Sequence, residues 1–133
     1  MKIKVLATAA ALAAVATGGA AWAHHSFAVF FDETRTVRVE GVITSFRFTN
    51  PHALVVMNVR QPNGQTVEWR AETNAPVVLQ RRGWSRESLH AGDHIILDGW
   101  PSRDGRNYMR LRSARNADTN RLIGSAPFET NDE

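Results

Sequence analysis

The stretch PNGQTVEWRAETNAP, residues 62–76, contains a hairpin turn, a strand and the start of a helix in direct succession. The pair Asn63-Gly64 tolerates the positive φ of a tight type I′ turn, so it predicts a β-hairpin. From Thr66 to Glu72 apolar and polar side chains alternate, and this period of two predicts a half-buried strand. One face of that strand carries Val67, Trp69 and Ala71, and the other carries Glu68, Arg70 and Glu72.

The end of the same stretch predicts a short helix that continues to about Arg82. Asn74 is a residue type that caps helix N-termini, Pro76 fits the first helical turn, and Gly83 is a typical helix stop. A helix of about eight residues is too short to cover a parallel sheet, so a layered α/β fold is disfavoured.

Further strands are predicted on both sides of this stretch. They cover residues 36–48, 52–59, 94–100 and 107–115, with a bend at Gly41 and a break at Pro51. Three strands, a helix and two strands is the order of an OB-type barrel. We therefore predict a mainly β fold, a small OB-like five-stranded antiparallel barrel with one short helix between strands three and four. A small antiparallel sandwich is the alternative.

The N-terminal segment has the features of an export signal. Lys2 and Lys4 supply a positive start, residues 5–16 are almost entirely apolar, and Ala21-Trp22-Ala23 is a small-x-small cleavage signature. Cleavage there would place the mature protein in the periplasm or outside the cell. The predicted organisation is a signal peptide at 1–23, an N-terminal arm at 24–35, the OB-like barrel domain at 36–126 and a polar tail at 127–133.

The charge balance of the mature chain makes nucleic acid an unexpected partner. Removing Lys2 and Lys4 from the 16 basic residues leaves 14 arginines against 13 carboxylates. A chain with this balance lacks the strongly positive electrostatic potential that non-specific binding to nucleic acid or anionic lipid needs. No apolar run after the signal approaches 18 residues, so we expect no membrane insertion after cleavage. The chain has no cysteine, so the fold depends on its core.

The mature N-terminus is the best candidate for a metal site. After cleavage, His24 presents a free amine and an imidazole Nδ1 that can close one chelate ring on a transition metal. His52, after Asn50-Pro51 at the start of the second strand, is the candidate third nitrogen and would complete a histidine brace. Such nitrogen-rich sites favour Cu(II). His25 offers a competing chelate through its ring, the preceding amide and the amine.

Other groupings are better explained by structure. His90 and His94 are separated by Gly92-Asp93, which breaks the helix that their spacing would need. Glu68 and Glu72 share a strand face with Arg70, which predicts an ordinary ion-pair ladder. The aromatic residues that could form a stacking platform are more typical of a core; they are Trp69, Trp84, Trp100 and Tyr108. Catalytic motifs are absent, and no catalytic residue is predicted.

Several short motifs together resemble a family of exported bacterial proteins of unknown function, family 6152. The resemblance extends from His24 to about Arg115, and it implies a periplasmic location without implying an activity. The motifs are His24-His25-Ser26-Phe27, Gly41-Val42-Ile43, Asn50-Pro51-His52-Ala53, Trp69 with Glu72, Arg81-Arg82-Gly83-Trp84 and Ala91-Gly92-Asp93.

The expected function is copper binding or copper handling in the periplasm, with copper as the cofactor and a periplasmic protein partner left open. The alternative is a metal-free OB-like module that binds a small molecule, a glycan or a protein through the face of Trp69, Arg70 and Glu72. A third hypothesis is a redox enzyme in which the same copper site activates oxygen.

Overall fold

The computed structural model describes residues 26–124 of the protein. The predicted signal peptide and polar tail lie outside this range, as do His24 and His25. The elements in chain order are helix α1 (Ser26–Phe30), strands β1 (Val37–Arg47), β2 (Leu54–Arg60) and β3 (Thr66–Glu72), helix α2 (Pro76–Arg81), and strands β4 (His94–Pro101) and β5 (Tyr108–Asn116). In the described range, no helix is long and apolar enough to span a bilayer.

The five strands form a closed barrel in the order β1-β2-β3-β5-β4. Strand β1 pairs with both β2 and β4, which closes the barrel. This confirms a mainly β, five-stranded barrel with a short helix between the third and fourth strands.

The prediction of a wholly antiparallel barrel is wrong, because β3 and β5 run parallel. The other four neighbouring pairs are antiparallel. A closed ring with an odd number of strands cannot reverse direction at every pair, so one parallel pair is unavoidable. That pair brings Arg70 opposite Tyr108 and Glu72 opposite Arg110.

The predicted bend in β1 lies where this strand passes from one partner to the other. Residues 37–42 pair with β4, and residues 42–47 pair with β2. A Cβ on Gly41 would clash with the backbone oxygen of Asn58, so this position requires glycine. A register shift follows between Ile43 and Ser45, which adds to the bend.

The core fills the barrel with side chains from every strand, and α2 closes it with Leu79, which is fully buried. Trp84, just after α2, is also buried, as predicted. The predicted cap is wrong: Ala75 occupies the N-cap position without a side-chain hydrogen bond. The Asn74 side chain instead accepts a hydrogen bond of 2.7 Å from Nη2 of Arg110.

Strand alternation puts Arg110 on the face opposite Met109 and Leu111, yet its side chain is buried as theirs are. It donates to the backbone oxygen of Thr73 and to the side chain of Asn74. Arg110 thus interrupts the alternation of buried and exposed residues in β5. The connection between β3 and α2 supplies its hydrogen-bond acceptors, and these bonds offset the cost of burying the charge.

The N-terminal arm packs on the barrel through two of its three phenylalanines. Phe31 is buried and forms an isolated bridge with Ser102, whereas Phe30 is 61% exposed. Backbone hydrogen bonds from Asp32 to Pro101 (2.9 Å) and from Arg103 to Phe30 (2.9 Å) fix the arm to the β4–β5 connection. The described part of the arm is therefore joined to the barrel by backbone as well as side-chain contacts.

Candidate functional site

A chain of polar contacts at one end of the barrel links His52, Glu72 and Tyr108. The Nδ1 atom of His52 lies 2.6 Å from Oε1 of Glu72. The hydroxyl of Tyr108 donates a hydrogen bond to Oε2 of the same carboxylate. Both oxygens of Glu72 are therefore engaged, and the side chains of His52 and Glu72 are only 34% and 20% exposed.

The strand register explains this convergence. Leu54 pairs with Glu72 across the β2–β3 hairpin, which places His52 just beyond the end of β3. Arg70 pairs with Tyr108 across the parallel strands, so Tyr108 lies one strand further around the barrel. Three chain segments thus contribute one polar side chain each.

The Tyr108 phenol is held in its neutral form. Burial raises the pKa of Tyr108 strongly, and the hydrogen bond to the Glu72 carboxylate raises this pKa further. A neutral phenol is a hydrogen-bond donor, so it fixes the orientation of Glu72.

Helix α1 lies against this site through Phe27. The Phe27 ring centroid is 5.2 Å from that of His52, and Cζ of Arg110 lies 4.1 Å from the Phe27 centroid. The ring is therefore in contact with both an imidazole and a buried guanidinium, an arrangement that a cation–π attraction stabilises.

A cavity of about 380 Å³ opens beside these groups. Its wall is mainly aromatic, formed by Phe27, Phe30, Phe31 and Tyr108. The polar and charged lining residues are His52, Glu72, Ser102 and Arg106. We call it the His52 cavity. Phe30, one of the lining residues, is exposed, so the cavity wall reaches the surface there.

Of the predicted metal ligands, only His52 falls within the described residues. His24 and His25 lie outside them. Residues 26–124 contain no group of three His, Cys, Asp or Glu side chains placed to hold a metal ion.

The other two histidines, His90 and His94, lie on the surface next to carboxylates. His90 Nε2 is 3.0 Å from Glu87, and the hydrogen bond with Glu87 raises the pKa of His90. His94 is bracketed by Glu40 at 2.9 Å and Asp118 at 3.1 Å.

Glu72 and Tyr108 were not predicted as partners of His52. The ion-pair ladder expected on β3 is confirmed for Arg70 and Glu68, which are 2.8 Å apart, but Glu72 turns to His52. The hairpin register could have placed Glu72 near His52. The position of Tyr108 depends on the parallel pair, which the sequence did not predict.

The proposed aromatic platform is divided between core and surface. Trp84 is buried, Trp69 packs against the core, and Trp100 lies under the guanidinium of Arg112 at 4.3 Å. Tyr108 packs on Phe31 with centroids 5.3 Å apart. At least two of the four rings are therefore core residues.

Solved structures similar to this chain share only distant likeness. The ZRD-deleted mutant of TiaS in complex with agmatine is 15% identical, with a TM-score of 0.43, over 74% of this chain and 24% of that chain. Apo TiaS, a tRNAIle2 agmatidine synthetase, is 15% identical, with a TM-score of 0.42, over 74% and 25%. The chain thus spans about a quarter of TiaS.

A small single-stranded DNA-binding protein from Streptomyces coelicolor is 13% identical, with a TM-score of 0.38, over 62% of this chain and 90% of that chain. No curated protein matches the chain. These likenesses carry no inference about function.

A family model gives a match over most of the chain. It is described as "Family of unknown function (DUF6152)", and it matches residues 11–110. This range includes His24, His52 and Glu72, and it ends at Arg110. The chain belongs to this family of unknown function, DUF6152.

Proposed function

We propose that the protein is a periplasmic copper-binding or copper-handling protein built on an OB-like barrel. The amine and ring of His24 and the ring of His52 hold the metal in a brace-like arrangement, and His25 provides the competing chelate. The observation that carries this proposal is the contact between Phe27 and His52.

The N-terminal segment is short enough to keep His24 near His52. His24 precedes Phe27 by three residues, and three extended residues span at most about 10 Å. Phe27 itself is packed on the His52 ring. A metal bound by His52 therefore lies within reach of the amine and imidazole of His24.

The partner of His52 matches what a metal-bound histidine needs. A ligating imidazole commonly donates its second ring N–H to a carboxylate, which fixes the ring and makes the ligand more basic. With Nδ1–H donated to Glu72, Nε2 keeps its lone pair for the metal. Tyr108 holds Glu72 in turn, so the ligand is oriented before metal arrives.

The choice of copper rests on the chemistry of the ligands. An amine and two imidazoles form a nitrogen set without thiolate, and such sets bind Cu(II) tightly among first-row divalent ions. Protons compete for the same lone pairs, so binding should weaken toward acid pH.

The test begins with protein exported to the periplasm and purified without metal. Intact mass should show a chain that starts at His24, and native mass spectrometry after addition of Cu(II) should show one bound copper ion. Cleavage after Ala21 would leave Trp22-Ala23 ahead of the histidines and would contradict the brace.

Two further variants separate the brace from a flexible chelate. An alanine inserted before His24 moves the amine while every side chain stays present, so it should break the brace, and any copper still bound at the new N-terminus should be insensitive to His52→Ala. His25→Ala should have little effect on the brace. If affinity is unchanged by His52→Ala but falls with His25→Ala, the metal sits on the amine-amide-imidazole chelate and the barrel plays no part.

A further inference from the structure

A second depression, of about 750 Å³, adjoins the His52 cavity and shares Arg106 and Tyr108 with it. We call it the arginine groove, because Arg47, Arg70 and Arg106 line it. Glu68 is the one carboxylate among its lining residues, so guanidinium groups outnumber acids there by three to one.

The three arginines come from segments far apart in the chain. Arg47 ends β1, Arg70 lies in β3, and Arg106 belongs to the connection between β4 and β5. A backbone hydrogen bond of 3.1 Å from Arg70 to Asn107 joins β3 to that connection. The barrel thus assembles a cationic surface that no local sequence run contains.

Two of the guanidiniums are anchored by carboxylates. Glu68 lies 2.8 Å from Nε of Arg70, and Asp104 lies 2.6 Å from Nε of Arg106. Both ion pairs use Nε, so the terminal amino groups of each guanidinium are left to form the paired hydrogen bonds that oxyanions accept.

The connection that carries Arg106 is itself held in place. Asp104 accepts hydrogen bonds from the Ser102 hydroxyl (2.6 Å) and from the backbone N–H of Arg106 (3.1 Å). The bond from Ser102 lowers the pKa of Asp104, so this acid stays ionised and keeps its hold on Arg106. Such anchoring reduces the entropy lost when a ligand binds.

We propose that the arginine groove binds a small organic anion through a carboxylate or phosphate group. The binding is independent of the copper site. A nucleic acid is the less suitable occupant, because Tyr108 is the one aromatic side chain in the lining and its hydroxyl is already bound to Glu72. Single-stranded nucleic acids usually need several stacking rings in addition to charge.

The test is a titration of metal-free, chelator-treated protein followed by ¹⁵N–¹H NMR at constant ionic strength. The probes are citrate, inorganic phosphate and an oligothymidylate. We expect saturable shifts at the backbone amides of Arg70 and Asn107 with citrate or phosphate, and the stronger of the two identifies the anion class.

Arg70→Ala should weaken this binding about tenfold, since it removes a charge-assisted hydrogen bond. Arg60→Ala is the matched control, because Arg60 is exposed at the far end of β2, opposite Thr66. This variant should bind the anion as tightly as the unmodified protein does. Because the titration uses metal-free protein, its outcome does not depend on the copper site.

Three results would overturn the proposal. The shifts could be the same in Arg70→Ala and the unmodified protein, or they could grow without saturation and be reproduced by sodium chloride. Tighter binding of the oligothymidylate than of either small anion would assign the groove to nucleic acid instead.

Discussion

His52 and His94 both contact carboxylates, but they do so in different ways. The difference distinguishes a candidate metal ligand, His52, from a surface ion pair at His94. His94 has both ring nitrogens next to acids, Nε2 with Glu40 and Nδ1 with Asp118. His52 has Nδ1 on Glu72 and a phenylalanine ring beside it. An imidazole with a carboxylate at each ring nitrogen keeps neither nitrogen for a metal, whereas one held at a single nitrogen can offer the other.

The surroundings of the two sites differ as well. The acids around His94 are 57% and 72% exposed, so solvent screens them and the pairs contribute little. Glu72 is only 20% exposed and both of its oxygens are engaged. The comparison predicts that mutations at the His52 end change ligand binding, while equivalent mutations at the His94 end do not.

The largest expected effect is on copper affinity when the histidines are exchanged for alanine. His52→Ala removes one of the proposed ligands and should lower affinity at least about 100-fold, since even the loss of an outer-shell partner costs about 10- to 100-fold. His94→Ala should leave affinity unchanged. Competition titration with a copper chelator measures both. Equal losses in the two variants would contradict the assignment of His52.

A smaller loss is expected when the carboxylate behind His52 is neutralised. Glu72→Gln should reduce copper affinity about tenfold, because the amide holds the imidazole less firmly than the carboxylate does. Glu68→Gln, on the same strand face, is the control and should have no effect. Unchanged affinity in Glu72→Gln would show that the His52–Glu72 contact is purely structural.

The ionisation of Tyr108 provides a direct measurement at the same end of the barrel. Tyr108 is the only tyrosine in the chain, so absorbance near 295 nm reports its phenolate alone. Since burial raises the pKa of Tyr108, this phenol should ionise at higher pH in the folded protein than in the unfolded chain, where its pKa is about 10. Glu72→Gln should move the folded transition to lower pH.

The raised pKa of Tyr108 also predicts how the stability of the fold changes at alkaline pH. The folded state retains the Tyr108 proton longer than the unfolded state, so this contribution to the free energy of unfolding is complete below about pH 10 and declines above it. Denaturant melts across that range measure the decline, and Tyr108→Phe should flatten it. A folded protein that ionises near the ordinary value would contradict the hydrogen bond to Glu72.

The smallest effect is expected from the arm. Phe27→Ala removes the ring between His52 and Arg110 and should lower the free energy of unfolding by about 1 kcal/mol, the usual size of such aromatic and cation–π contacts. Copper affinity should fall with it, because the N-terminal segment loses its anchor. Phe30→Ala, at an exposed position of the same helix, is the control for both measurements.

The sequence predicted the structure correctly where the relevant pattern lies within one strand and its turn. The hairpin at Asn63-Gly64, the alternation through β3 and the glycine in β1 each arise from local backbone or burial rules, and the structure confirms them. The predicted type I′ turn is wrong, because Gly64 has a positive φ of 85° but Asn63 does not. The helix after β3 was also correctly placed, although its cap was not, because Asn74 is taken up by Arg110.

The candidate site was harder to predict because it depends on contacts between strands distant in the chain. Tyr108 reaches Glu72 only through the parallel pairing of β3 and β5, which follows from closing an odd-numbered ring. Arg110 breaks the alternation of β5 because Thr73 and Asn74 offer it acceptors. Neither residue carries a local pattern that signals its role, whereas His52 stands out beside Pro51.

The most direct test of the central proposal is the electron paramagnetic resonance spectrum of Cu(II) added to protein that begins at His24. The proposal predicts a tetragonal copper spectrum with coupling to protein nitrogens, from the amine and the two imidazoles. Inserting one alanine before His24 should replace this pattern with that of a chelate at the new N-terminus, which His52→Ala no longer changes. A spectrum without protein nitrogen coupling would contradict the copper site and favour a metal-free binding module.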